Sequence, residues 1–378
     1  MRSAALALLV LLGGCAGPAG LAGAGRAPSS ATRRAFDAWM SGEPEGAGRQ
    51  LETLAAARPD QPWARLGAAM QAERSLQPER AVAHLAALVE ESPDHPLALV
   101  ALRQLARLTA EAPDTVPAIE AALSGLHPRR PFAGMAAYRV RVARIAVAER
   151  QGDGERVAAL RAGNGTISAW TVAGPYGDFA ALDFERPFPP EQGWLPASVE
   201  GPLLAPDRPT RPLEVPSGEV SLDGEPFDGA FHYLVADVEV LEGGPHLAMI
   251  RAEGSWRAWL DGAPLAERRG WAGLDPVQRH LSVDLAPGTH QLLVKLGRES
   301  GVPSLLVGFS RADGRPARLL SRPRPPGALT PVRAGAVPSP AWRPGELVAA
   351  LEPGGRSTAL LLGARDAVSD PETAKALA

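Results

Sequence analysis

Tyr233-Leu234-Val235-Ala236-Asp237-Val238-Glu239-Val240 sets charged Asp237 and Glu239 in alternation with Val238 and Val240. Successive side chains of a strand point to opposite faces, so this octet predicts a half-buried antiparallel strand. Similar short runs lie at 169–172, 247–252, 256–260, 280–285, 290–296 and 305–310, with Gly and Pro between them. Short strands spaced by turn residues predict an all-β sandwich over 166–312. Asp261-Gly262, between Trp259-Leu260 and Ala263, is a two-residue hairpin signal, because both positions tolerate positive φ.

Upstream, composition changes. Residues 31–162 are rich in Ala, Leu, Arg and Glu and lack sustained alternation, which predicts a helical domain. Arg58-Pro59-Asp60-Gln61-Pro62 recurs 34 residues later as Ser92-Pro93-Asp94-His95-Pro96, and a third Pro-x-x-Pro begins at Pro128. This period resembles that of the tetratricopeptide repeat, in which helix pairs bury their apolar faces by stacking. Trp63, Leu66, Ala69 and Met70 would form one face, and Ala81, Leu85, Leu88 and Val89 the next. Only Trp63 and Gly67 keep the usual repeat residues, so a plain helical bundle is the alternative. The resemblance implies a concave face for a protein partner, and a short helical spacer is the other reading. Gly163-Asn164-Gly165 separates the two regimes and is read as a boundary that few contacts cross.

Cys15 is the one cysteine in the chain, and it follows an apolar run in Leu12-Gly13-Gly14-Cys15. That run falls well short of the ~20 residues needed to span hydrocarbon. The arrangement resembles the bacterial lipobox, which implies a signal peptide at 1–14, a lipidated Cys15 and a tether at 15–30. Ordinary signal cleavage at the nearby Ala and Gly residues is the alternative. Each acyl methylene contributes about 0.8 kcal/mol, so two or three chains would hold the protein on a bilayer. Ala16, rather than aspartate, follows the cysteine, which by the same resemblance implies the outer membrane, facing the periplasm.

Net charge is −3, with 39 basic and 42 acidic residues interspersed, which argues against a nucleic-acid surface. Arginine supplies nearly all the positive charge, since Lys295 and Lys375 are the only lysines. Disulfides cannot stabilise the exported part, and 378 residues exceed what one core supports, so two or more domains are expected.

Trp170-Thr171-Val172-Ala173-Gly174-Pro175-Tyr176 precedes Phe184-Glu185-Arg186-Pro187-Phe188-Pro189-Pro190-Glu191. Together they resemble the Trp-x-x-x-Gly-Pro-Phe and Pro-Pro-Glu signature of exported bacterial proteins that also carry tetratricopeptide repeats. Residues 256–262 and 286–296 are similar to two strands of galactose-binding-like jelly rolls, as in the sugar-binding domain of family 2 glycoside hydrolases. The resemblance implies a jelly roll in which Trp170, Gly174, Pro175, Tyr176, Pro189, Pro190, Glu191, Asp261 and Gly262 are signature positions. Tyr176 replaces the usual Phe, and Asp261 and His290 stand where Asn is common. Some relatives continue into a transglutaminase-like domain, whose Cys-His-Asp chemistry is excluded here because Cys15 is the only cysteine.

The seven histidines show no close ligand spacing, so no metal and no cofactor is expected. No Gly-x-Ser-x-Gly elbow occurs, and Gly354-Gly355-Arg356-Ser357-Thr358 lacks the lysine of a phosphate loop. Asp178 with Asp183, or Asp223 with Glu225, are carboxylate pairs of a kind used in glycoside cleavage, but they fall in loops. Trp256 and Trp259 are three apart, so they face opposite sides of a strand, one in the core and the other at least partly exposed. With Trp271 they are the candidate ligand-binding residues, since an exposed indole can stack on a sugar. Pro- and Arg-rich 313–344 reads as a linker and 345–378 as a helical segment. The expectation is a non-enzymatic, lipid-anchored envelope scaffold with a protein partner. Glycan binding by the sandwich is the alternative, and an accessory part of an exported hydrolase is a third.

Overall fold

Proline opens four successive helices, at the position where its missing N–H would be unpaired in any case. They are α2 (Pro44–Ala57), α3 (Pro62–Arg74), α4 (Pro78–Glu91) and α5 (Pro96–Glu111), and α1 (Ser30–Met40) precedes them. Ser29 caps α1 by accepting the Thr32 N–H at 3.2 Å. The computed structural model describes residues 28–338 apart from 59, 94, 127–133, 178–179, 202–205, 223–229, 270–276 and 298–303. Cys15, Trp271, Asp178, the 223/225 carboxylates and the 345–378 segment lie outside the described residues.

Beyond α5 come α6 (Val116–Leu126), α7 (Gly134–Gln151) and α8 (Gly154–Gly163), so the N-terminal half holds eight described helices. Neighbours in sequence pack on one another from α1 to α5, and α5 packs on α7. Leu51, Trp63, Leu66, Leu85, Leu97, Leu105, Ile119 and Val140 make the shared core. Tyr138 is buried too, but it turns away from this core and sets its ring edge-on to His280 of the β half, 5.5 Å between centroids.

The β half starts with β1 (Ala169–Tyr176) and the short helix α9 (Ala180–Asp183). Four small strands follow: β2 (Trp194–Leu195), β3 (Ser198–Val199), β4 (Arg208–Pro209) and β5 (Arg211–Glu214). After β6 (Glu219–Ser221) come the long strands β7 (Phe231–Val240), β8 (Gly244–Ala252), β9 (Trp256–Leu260) and β10 (Ala263–Arg268). The chain continues through β11 (Val277–Leu285), β12 (Gly288–Gly297), β13 (Ser304–Arg311), β14 (Leu319–Pro323) and β15 (Gly327–Ala328). One antiparallel sheet runs β10-β9-β12-β7-β1-β5 with β14 also on β7, and the facing sheet runs β11-β8-β13-β6. Trp170, Leu234, Ile250, Trp256, Leu292 and Phe309 fill the space between them. The architecture is therefore helical, then an antiparallel β-sandwich.

Strand β7 departs from the half-buried pattern. Residues 231–236 are buried on both faces, and alternation survives only at Asp237 and Glu239. The cause is a second core on the outer face of the larger sheet, where Tyr176, Phe231, Tyr233, Val235, Trp259 and Leu293 lie beneath Phe184, Phe188, Leu195, Val199 and Leu329. A strand covered on both sides must be continuously apolar, as 231–236 nearly is.

The 313–344 linker reading is corrected at its first half. β14 pairs with β7 from Leu319↔Val240 to Pro323↔Ala236, and β15 pairs with β2. Proline is tolerated here because Pro323 is the last residue of a strand hydrogen-bonded to one partner. The arginines that suggested a solvated tail pair with sheet carboxylates, Arg322 with Glu239 at 2.9 Å and Arg324 with Asp237 at 2.6 Å.

The Gly163-Asn164-Gly165 boundary is crossed by contacts rather than free of them. Asn164 is buried, and the Gly165 carbonyl accepts the Phe309 N–H at 3.0 Å. Gly165 has φ 61°, and a Cβ there would stand 2.4 Å from the Phe309 oxygen, so only glycine fits. Arg141 of α7 is buried beside it, donating to Asn164 Oδ1, to Ser310 Oγ at 2.7 Å and to the Gly314 carbonyl at 3.1 Å. Burial pulls this guanidinium down to about 10. The helices and the sandwich thus share a sealed polar seam.

Candidate functional site

Register brings four side chains into one row across the outer face of the larger sheet. Tyr233 pairs with Lys295, Lys295 with Arg257, and Arg257 with Glu267, on β7, β12, β9 and β10. Lys295 follows Leu293 by two residues, so it points to that same outer face, away from Val294 and Leu296 in the inter-sheet core.

The Lys295 side chain has no solvent exposure. Its ammonium donates to the carbonyls of Asp183 at 3.0 Å, Phe184 at 2.9 Å and Arg186 at 2.8 Å, and pairs with Glu191 Oε1 at 3.1 Å. Rings of Phe231 and Phe188 stand 4.8 and 5.1 Å from it. Tyr233 donates its hydroxyl to the same Glu191 oxygen. Burial of an isolated charge is costly, and three carbonyls plus a carboxylate are what offset it here. Burial pulls Lys295 below its ordinary value, partly countered by Glu191. Burial, then the Glu191 charge, pushes the Tyr233 hydroxyl well up. Tyr176, 5.3 Å from Tyr233 between centroids, is raised by burial alone.

A tight turn delivers Glu191. Its N–H donates to Phe188 O at 2.9 Å, and the Trp194 N–H to Pro189 O at 3.0 Å, so Pro189 and Pro190 shape the bend from which the carboxylate points inward. Residues 183–191 form a strap over the sheet. At its edge Arg257 stacks 4.6 Å from the Phe184 ring and pairs with Glu185 at 3.2 Å and Glu267 at 2.8 Å.

The signature positions divide between this strap and its support. Trp170 is in the inter-sheet core, with its indole N–H on Ile167 O at 3.3 Å. Gly174 precedes Pro175 through a cis bond and has φ 145°, and a Cβ at Gly174 would come within 2.9 Å of Phe231 O. Asp261 (φ 50°) and Gly262 (φ 76°) form the β9–β10 turn. Asp261 accepts the Gln291 N–H at 2.7 Å and lies 2.6 Å from His290 Nδ1, tying that turn to β12. Burial alone would lower His290, but the Ala286 carbonyl and Asp261 outweigh it and hold it above its ordinary value.

The expectation of an exposed tryptophan at 256 or 259 is corrected. Trp256 and Trp259 do face opposite sides, yet Trp256 is fully buried between the sheets and Trp259 is 3% exposed beneath the strap. The outer face is itself a core, so neither indole offers a ring to a ligand. Among the described residues the exposed indole is Trp194, at 56%. Lys295 and its cage were missed in the sequence; the one available signal was a lone lysine in a chain that otherwise uses arginine.

Away from the sandwich, a groove of ≈ 620 Å³ opens between α1 and α2, lined by Ala31, Arg34, Gly46, Arg49, Gln50, Thr53 and Leu54. No group of His, Cys, Asp or Glu that could hold a metal occurs among the described residues. No described helix is long and apolar enough to cross a membrane.

No protein-family model matches the chain, and no curated protein matches it. Among solved structures, it is similar to the PA14 sugar-binding domain from an RTX adhesin, at 17% identity and TM-score 0.25, covering 41% of this chain and 96% of that one. It is also similar to a β-glucosidase from Kluyveromyces marxianus, at 16% identity and TM-score 0.25, covering 37% of this chain and 19% of the enzyme. A GH31 α-xylosidase from Xanthomonas citri matches at 17% identity and TM-score 0.23, covering 43% and 20%. The chain spans a small part of both enzymes, and the activities in those names belong to those proteins.

Proposed function

We propose that the chain is a lipid-anchored, non-catalytic scaffold of the bacterial cell envelope, on the periplasmic side of the outer membrane. Its tetratricopeptide-like helices receive a protein partner, and its jelly-roll sandwich is the rigid base on which they stand. The observation that carries this reading is the sealed cage of Lys295. The groups of the sandwich best suited to chemistry, an amine, a carboxylate and a phenol, hold the strap to the sheet and are buried. Anchoring rests on Leu12-Gly13-Gly14-Cys15. Replacing Cys15 by Ala abolishes incorporation of a fatty-acid probe and moves the protein from the membrane to the soluble fraction. Unchanged membrane retention of the unlabelled variant contradicts the anchor.

Glycan recognition is the second reading, favoured by the exposure of Trp194. Binding on a glycan array that disappears in Trp194→Ala supports it; an array that stays blank with the parent chain removes it.

A further inference from the structure

Several arginines of the helical half are held in ion pairs. Arg65 pairs with Glu91 at 2.5 Å, Arg80 with Glu52 at 3.1 Å, Arg156 with Glu120 at 2.5 Å and Arg161 with Glu149 at 2.5 Å. Arg34 on α1 and Arg49 on α2 differ. Both are exposed, and among the described residues neither guanidinium has an ion pair. They line the same ≈ 620 Å³ groove, whose other lining residues are uncharged; Glu45, also exposed on α2, is not among them. Small residues, Ala31 and Gly46, are among its lining, and a Cβ added at Gly46 meets nothing within 4 Å.

Chain continuity says what such a groove would meet. Twelve residues separate Cys15 from Pro28, where the described chain begins, and α1 is the first element after them. Fully extended, that segment spans at most ~45 Å at ~3.4 Å per residue. A lipid on Cys15 therefore keeps the α1–α2 end of the stack close to a bilayer, at high effective concentration. Arg26 and Arg33 add positive charge in the adjoining sequence.

We infer that the α1–α2 groove binds the anionic phosphate headgroups of the membrane that carries the Cys15 lipid, with Arg34 and Arg49 as the two cationic contacts. The inference rests on the anchored reading. Binding orients the stack on the bilayer, leaving its later helices and the sandwich directed outward.

The test uses residues 16–378, which retain every described residue and lack the acylation site, so the groove is read whether or not Cys15 is lipidated. Flotation with vesicles of equimolar phosphatidylglycerol and phosphatidylcholine is compared with phosphatidylcholine alone. The expected result is salt-sensitive binding to the anionic vesicles only. Each basic residue near an anionic surface contributes about 1 kcal/mol, so Arg34→Glu with Arg49→Glu should weaken binding by at least about tenfold. Gly46→Leu keeps both charges, fills the groove and favours helix, and it should weaken binding as well. Equal flotation of parent and double variant, or none with anionic vesicles, overturns the inference. Arg34- and Arg49-dependent capture of a polyglutamate peptide without vesicle binding also overturns it, in favour of an acidic protein partner. Failure of the anchor alone is seen separately, as absent fatty-acid labelling of the full chain.

Discussion

Replacing Lys295 by methionine lowers the free energy of unfolding by about 3 to 5 kcal/mol, the range for breaking one side of a buried ion pair. Methionine nearly matches the lysine stem in volume, so packing is largely kept and the loss is electrostatic. It leaves the 6%-exposed Glu191 without its cation, and the carbonyls of Asp183, Phe184 and Arg186 lose the ammonium donor, Asp183 keeping only the Arg186 N–H. Each buried acceptor stripped of its partner costs about 1 to 3 kcal/mol. Urea unfolding followed by circular dichroism measures the change. Adding Glu191→Gln to the methionine variant removes the orphaned charge and recovers part of the loss, so the two changes are not additive. A shift below about 1 kcal/mol would mean that water reaches the cage and that the strap is not held by Lys295.

A chain ending at residue 312 loses a cooperative sandwich, whereas one ending at 338 retains it. The shorter chain lacks β14, and with it five residues of pairing on β7 and the Ser321 hydroxyl that accepts the Ser168 and Ala169 N–H groups at 3.1 and 3.2 Å. It also lacks the Arg324 carbonyl that accepts from Thr171 Oγ1 at 2.6 Å, and Leu329, which closes the outer core. Leu319 packs on the inter-sheet core from the same segment. Losing the buried Leu329 costs about 2 to 5 kcal/mol, with a further loss at the partly buried Leu319, a large share of the whole stability of many domains. Near-UV dichroism and urea cooperativity of the two chains decide it. Native-like unfolding of the 312-residue chain would show that the tail is decorative.

Local patterns in the sequence carried the strands and helices, because turn residues and periodicity are short-range. The opposite faces of Trp256 and Trp259 follow from spacing alone. The burial of Trp259 does not, since its cover comes from Phe184, Phe188 and Leu329, more than sixty residues away along the chain. Lys295 escaped for the same reason. A charged residue two places from Leu293 in a strand reads as solvent-facing until the strap is placed over it. The tail was misread because Pro and Arg suggest a linker, while its Arg322 and Arg324 find Glu239 and Asp237 only once β14 lies on β7. At Gly163-Asn164-Gly165, glycine marks close approach to Phe309 rather than freedom.

The reactive groups of the sandwich are sealed beneath the strap. Only two lysines exist in the chain, so amine acylation with a mass readout on the peptide containing Lys295 tests it cleanly. In native buffer Lys295 should remain unmodified while the same residue reacts fully in denaturant. Modification of Lys295 in the native protein at the denatured rate would contradict the account, because it would place an accessible amine beside Glu191 and Tyr233.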